Sequence, residues 1–315
     1  IGFAITLGLA ASFLILKKKS KVSGSILLFV ISLALYGFAN SKSNRFTVFK
    51  SEGILGKLEI REEPSYSNEA VIIRKLLINN TIQTEMQIDS KQSVSDYVRL
   101  VEKNLLYLPK GKTLILGLGG GVVANLFQQH HYDVTAVEFD SRIIDMAKQF
   151  FYLSDSVKTV SADARYYINN CKDKFNIILF DVFKAEEQPS HVITKESLMK
   201  LKTMLDTNGI VLINTHGYLT GEKGLGTQCM LATLKQAGFD IKICTFSEVE
   251  KYRNLLIVAS LKPIDVALHG ELYPFMLTDL ETINKDNQPI LEALNASANQ
   301  EFRTLYLNNY ILRNY

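Results

Sequence analysis

Cysteine is scarce and poorly placed for a cross-link or a zinc site. Cys171, Cys229 and Cys244 lie far apart, with no C-x-x-C and no paired histidines nearby. They read as buried or half-buried thiols in a reducing compartment, and no metal is expected. An excess of one charge is also missing. The 315-residue chain has a net charge of +3 with its lysines and arginines scattered, which gives no nucleic-acid footprint. Charge is absent altogether from two stretches, Ile1 to Leu16 and Gly24 to Asn40, which flank KKKSKVS. Neither has a polar face, and each is at the short end of what spans a bilayer. Residues 1–44 are therefore expected to be two transmembrane segments of a multi-pass inner-membrane protein, with the lipid bilayer as a partner. The initial Ile suggests that the first run continues upstream. A second apolar run without an A-x-A site argues against a cleaved signal peptide. The lysine cluster assigns the 17–23 loop to the cytoplasm, but Lys42, Arg45 and Lys50 make the far side positive too, so charge leaves orientation open.

The chain beyond residue 44 is long enough to bury a sizeable core. Residues 45–92 hold RFTVF, ILGKLEIRE and AVIIRKLLINNTIQTEMQID, β-rich runs with Asn79-Asn80 where a tight turn is required. They predict a small antiparallel unit of three to four strands. Ser93 to Tyr107 places Val94, Tyr97, Val98, Val101 and Leu105 at helical spacing. From Lys112, TLILGL, DVTAVEF, VKTVSA, FNIILFD, GIVLINT and LLIVAS read as strands. Between them lie helical stretches such as SRIIDMAKQFF and TKESLMKLKTML, the latter closed by Asn208-Gly209. Such alternation over 93–315 predicts an α/β, doubly wound and mostly parallel sheet with helices on both faces. The tail after Pro263 is expected to pack against it. Ligands of such sheets bind outside the carboxyl ends of the strands.

The glycine turn Leu114 to Phe127, LILGLGGGVVANLF, stands at one such end. It lacks the third glycine of a dinucleotide fingerprint, which is Val122 here, and it lacks a phosphate-binding lysine. Gly117, Gly119 and Gly121 instead suit a nucleoside without a pyrophosphate, such as S-adenosylmethionine or a relative. Glu138 ends the second strand about 20 residues on, where a carboxylate accepts from both ribose hydroxyls. Asp163, with Ala164 beside it in SADA, is placed to reach an adenine amino group; its alternative role is a helix N-cap.

In order and spacing these motifs resemble the spermidine/spermine synthase family, the polyamine aminopropyltransferases, and most of all its membrane-fused bacterial branch. The resemblance covers roughly residues 46–300. It runs through LLINNTIQT, in which Gln83 matches a nucleoside-contacting glutamine, LILGLGGGVVAN, AVEFD, SADA, FDVFKAEEQPSHVITKESL and, more faintly, DNQPILE. It implies a Rossmann-like sheet of the class I methyltransferase type and decarboxylated S-adenosylmethionine as co-substrate. It further implies attack by a small-molecule amine on the carbon beside the sulfonium, after the amine has lost a proton to a carboxylate. A homo-oligomer is expected.

The chain departs from the family where the reaction happens. An aspartate that would hold the donor's amino group is replaced by Gly120. In the D-S-x-D-P loop Asp181 keeps the first aspartate, but the second, the base, aligns with Lys184. The acceptor motif Tyr-His-Glu aligns with Tyr97, Val98 and Arg99, so only the tyrosine survives. Glu186 and Glu187 are candidates to supply the missing charge, His191 is a candidate base, and His216 after the INT strand is a candidate pocket residue. Three functions stay open: a membrane-anchored aminopropyltransferase-like enzyme using Asp181 with Glu186 or His191, a methyltransferase, and a nucleoside- or polyamine-sensing domain without catalysis. Gly120 favours the second, because intact S-adenosylmethionine carries a carboxylate that an aspartate would repel. The cytosolic origin of the donor places the domain in the cytoplasm.

Overall fold

The computed structural model describes residues 29–32, 46–183, 188–246, 252–272 and 282–314, with side chains up to residue 304. The expected membrane segments lie outside these residues except for 29–32, as do Lys184, Glu186 and Glu187. Among the described residues no helix is long and apolar enough to cross a membrane.

β1 (Thr47–Gly53), β2 (Gly56–Pro64), β3 (Ile72–Ile78) and β4 (Thr81–Gln87) form an antiparallel meander. Asn79 and Asn80 join β3 to β4 with φ of 50° and 68°, the left-handed pair that a two-residue hairpin turn requires. Alternation divides the sheet into two faces. Leu58, Ile60, Leu76, Ile78 and Met86 pack on Ile143, Met146 and Phe151 of the second domain. On the opposite face Arg61 bonds Glu59 at 2.8 Å and Lys75 bonds Glu63 at 2.8 Å, all four side chains buried. Removing one partner of either pair would leave a buried charge uncompensated.

The second sheet is assembled from β5 (Lys112–Leu116), β6 (Asp133–Glu138), β7 (Lys158–Ser161), β8 (Phe175–Phe180), β9 (Leu205–Gly217), β10 (Asp240–Cys244) and β11 (Arg253–Ser260). Their order is β10-β11-β9-β8-β5-β6-β7. β7, β6, β5, β8 and β9 run parallel, and β11 is antiparallel to both of its neighbours. Among the described residues the helices of this part are α1 (Asp96–Asn104), α2 (Val122–Gln129), α3 (Ser141–Phe150), α4 (Ala164–Asn170), α5 (Lys195–Lys202), α6 (Leu225–Gln236) and α7 (Leu291–Asn314). Two apolar cores fill the two sides of the sheet, one around Leu114, Phe180 and Leu234, the other around Ile115, Phe127 and Leu256. Because β5 has β6 on one side and β8 on the other, strand order reverses at β5 and opens a crevice at its carboxyl end.

Two local expectations need correction. Asn208-Gly209 does not close a helix. α5 ends at Lys202, and the pair lies inside β9, whose register against β8 shifts between Phe175 and Ile177. Met204 and Leu205 are drawn into the core, which pulls the chain into the sheet earlier than its turn residues suggest. The helix expected from Ser93 starts at Asp96 and ends at Asn104, with a 3-10 turn over Leu105–Tyr107.

Candidate active site

Gly117 follows β5 with φ of 89°. A Cβ there would lie 2.2 Å from the Asp181 carbonyl oxygen. Only glycine therefore lets the end of β8 come alongside the turn, and this brings Asp181 to the crevice. Gly121, with φ of 74°, caps α2 from behind. Glu138 organises the turn: its two carboxylate oxygens accept from the backbone N–H of Leu118 and of Asp140, each at 3.0 Å. Burial raises the Glu138 pKa, and those backbone donors oppose the rise.

A cavity of about 480 Å³ opens at these strand ends. It brings together Gly117, Gly119 and Glu138 with Gln83, delivered by β4 of the first sheet. Asp163, Ala164, Asp181 and His191 line it too. Gly121 does not line it. Asp163 fills the helix-capping role, its Oδ1 accepting from Tyr166 N at 2.8 Å at the start of α4, and the residue also borders the cavity. His191 is half-exposed, with Nε2 3.7 Å from Asp163 Oδ2. Apolar side chains including Leu55, Ile143, Val182 and Val192 complete the walls. The described lining contains four carboxylates, on Glu138, Asp163, Asp181 and Glu292, and no lysine or arginine.

A second cavity, of about 380 Å³, shares Gln83, Thr84, Asp181 and Phe183 with the first and adds Tyr97, His216 and Asn254. Asp181 thus sits where the two meet. It accepts from Tyr97 OH at 2.6 Å and from Asn214 Nδ2 at 2.8 Å. Enclosure by protein raises its pKa, and the two donors counter that only in part. The Tyr97 phenol is pushed well up, first by burial and then by the Asp181 charge, so it remains a donor. His216 is driven down to about 4 by burial and is neutral at physiological pH.

Two departures from the family change meaning in three dimensions. Position 120 does not border the first cavity. Gly120 N donates to Thr84 Oγ1 at 2.8 Å, and a Cβ there would lie 2.7 Å from Thr84 Cγ2 and 2.9 Å from the Phe151 ring. The glycine is a packing requirement of the docked first sheet. Arg99 does not face the second cavity either. It is exposed, ion-paired with Asp96 one helical turn earlier and set over the Phe246 ring, so it does not repel a cation at Asp181. Sequence reasoning missed Thr84, Asn214 and Glu292. Asn214 had a signal, standing at the carboxyl end of β9. Glu292 had a weak one in DNQPILE; it accepts from Ser190 N at 3.1 Å and Ser190 Oγ at 2.7 Å.

The strand order, with one reversed strand, and a cavity at the carboxyl ends of β5 and β6 define a Rossmann-like α/β fold of the methyltransferase type. A probable spermidine synthase from Corynebacterium glutamicum ATCC 13032 shares it, with a TM-score of 0.57 at 18% identity, over 68% of this chain and 79% of that one. The chain belongs to the spermine/spermidine synthase family, whose Spermine/spermidine synthase domain profile matches residues 82–263. A polyamine aminopropyltransferase of Vibrio vulnificus (strain CMCP6) is 37% identical over 129 residues, 38% of this chain and 42% of that protein. A probable polyamine aminopropyl transferase of Bifidobacterium longum (strain NCC 2705) is 22% identical over 190 residues, 60% of this chain and 41% of that protein. The chain thus spans less than half the length of either relative.

Proposed function

We propose that the first cavity binds decarboxylated S-adenosylmethionine and that the chain transfers its aminopropyl group to an amine. The observation that carries this is the charge of the described lining, four carboxylates with no lysine or arginine. That lining suits a cationic nucleoside and opposes a phosphate or a second carboxylate. The residues fit an adenosyl group. Glu138 has lone pairs left for ribose hydroxyls after accepting two backbone N–H groups, Asp163 is placed for the adenine amino group, and the apolar walls suit the base. Intact S-adenosylmethionine would bring its carboxylate among these charges. A like pair about 4 Å apart costs roughly 1 kcal/mol in water and about 4 at a protein-like dielectric.

The co-substrate supplies an electrophilic carbon beside a sulfonium. An amine of ordinary pKa near 10.4 must shed a proton before it attacks. Asp181, held by Tyr97 and Asn214 and facing both cavities, receives that proton. The amine nitrogen then forms the new C–N bond as the C–S bond breaks, and the electron pair returns to sulfur as a neutral thioether. Much of the acceleration comes from holding two reactants in abutting cavities. Glu186 and His191 remain candidates to relay the proton to solvent. Methyl transfer is the second reading, but Gly120 does not favour it, because position 120 packs on Thr84 and Phe151 and does not border the first cavity. Calorimetric titration separates the two: the decarboxylated donor should bind at least ~10-fold more tightly than S-adenosylmethionine, and the reverse order supports methyl transfer.

Membrane attachment through residues 1–44, in the manner of the membrane-fused branch, is part of the proposal. It rests on the two uncharged apolar runs. A cytoplasmic catalytic domain and a homo-oligomer complete it. Carbonate-resistant pelleting of the chain, and a reporter fused after Tyr315 that is active only inside the cell, are the expected results.

A further inference from the structure

One wall of the first cavity is held in place from beyond the matched domain. Pro189, His191 and Val192 line it, and Ser190 between them is buried. The segment has only a 3-10 turn of its own, over Ser190–Val192, so its position depends on what it bonds. Those partners lie mostly in the tail. Asn284 is fully buried; its Nδ2 donates to Ser190 O and Ile193 O, each at 2.7 Å, and its Oδ1 accepts from Ile290 N at 2.9 Å. Asp286 accepts from Thr194 Oγ1 at 2.5 Å and from Arg165 Nη2 at 2.6 Å, and Arg165 follows Asp163 by two residues at the start of α4. Glu292, in the first turn of α7, completes the set. Its two carboxylate oxygens accept from Ser190 N and Oγ, and its own N donates back to Ser190 Oγ at 3.0 Å. All three tail residues lie after residue 263, where the family profile ends.

Of the three, Glu292 borders the cavity. A carboxylate offers about four acceptor sites, and Ser190 takes two of them. Asp163 borders the same wall. Its Oδ2 is 3.7 Å from His191 Nε2, and its Oδ1 serves Tyr166 N. Two carboxylates with lone pairs left over therefore stand against neighbouring residues of one segment, Ser190 and His191. An exocyclic amine carries two N–H donors, so one carboxylate for each satisfies it. An oxo group in the same place sets its lone pairs against both carboxylates and gives them no donor.

We propose that Glu292 is a specificity-determining residue of the donor site. It accepts one N–H of the adenine amine while Asp163 accepts the other, so the site selects an amino-purine nucleoside and rejects its oxo counterpart. This rests on the reading of the first cavity as an adenosyl site.

The test is calorimetric titration of the full chain with methylthioadenosine and with methylthioinosine, which carries an oxo group in place of the amine. The amino form should bind wild type at least ~100-fold more tightly. Glu292→Gln keeps the shape and offers an amide N–H to the oxo group, so it should cut that margin at least ~10-fold. Glu292 is exposed, and the wild-type margin is a sufficient test whether or not the variant folds. A smaller wild-type margin, or a margin unchanged in Glu292→Gln, overturns the inference, while binding of methylthioadenosine keeps the donor assignment standing. Binding of neither nucleoside overturns both.

Discussion

Asp181 holds its place through three contacts that act at once. A glycine lets its backbone approach β5, a phenol donates to one oxygen, and an amide donates to the other. Tyr97→Phe removes one donor from an enclosed carboxylate, so the Asp181 pKa should rise further. The acid limb of the pH–rate profile should then shift to higher pH and kcat should fall ~10- to 100-fold; an unmoved limb would detach Asp181 from proton transfer. Glu138→Gln puts an amide NH2 against one of two backbone donors. We expect a loss of about 1–3 kcal/mol in thermal unfolding, together with nucleoside affinity. Gly120→Asp, which restores the residue family members carry, should cost a similar amount, because its Cβ enters the Thr84–Phe151 contact. It should not improve turnover. Gly117, Gly119, Glu138 and Asp163 were legible in the sequence because their requirements are local, a turn and two strand ends. The orientation of position 120 was not legible. It depends on Thr84, 36 residues earlier, and on Phe151, and only the docked tertiary structure brings these together. Arg99 escaped for a similar reason, since residue spacing does not report which way α1 is rotated.

The first sheet is part of the site because it carries Gln83 and Thr84 to the glycine turn. Arg142 at the start of α3 fastens it, bonding Asp140 through Nε at 2.9 Å, Ser51 Oγ at 3.2 Å and Gly56 O at 3.5 Å. Arg74 of β3 adds a bond to Phe150 O at 2.5 Å. Arg142→Ala should loosen the docked sheet and raise the KM for donor more than it lowers kcat, with a loss of about 1–3 kcal/mol in stability. An unchanged KM would show that the sheet holds its position by apolar packing alone. At this scale the sequence was generous: alternation, the Asn79-Asn80 turn and the strand–helix rhythm yielded both sheets. β10 and the antiparallel insertion of β11 were not foreseen, because a strand's direction is set by where its connection lands. The pairs Arg61–Glu59 and Lys75–Glu63 were also invisible, since ILGKLEIRE reads equally well as a strand with one solvated face.

At the scale of the whole molecule, burial of groups at the cavities makes stability depend on pH. His216 binds a proton near pH 4 when folded and near 6.5 when unfolded. Between those values the unfolded chain holds the extra proton, so stability falls as pH falls through that window, by up to about 3 kcal/mol from this group. The raised pKa of Glu138 and Asp181 gives the opposite slope just above their ordinary range. The difference between wild type and His216→Asn therefore isolates the histidine: it should vary between about pH 6.5 and 4 and be flat above. Asp181 lines both abutting cavities, and the proposed chemistry depends on each cavity taking one reactant. The decisive measurement is incubation of the full chain with decarboxylated S-adenosylmethionine and an amine, with the nucleoside product followed by mass spectrometry. Methylthioadenosine should form one-for-one with an aminopropylated amine, and both should be lost in Asp181→Asn. Turnover that survives in Asp181→Asn, or S-adenosylhomocysteine formed from intact S-adenosylmethionine, would contradict the proposed chemistry.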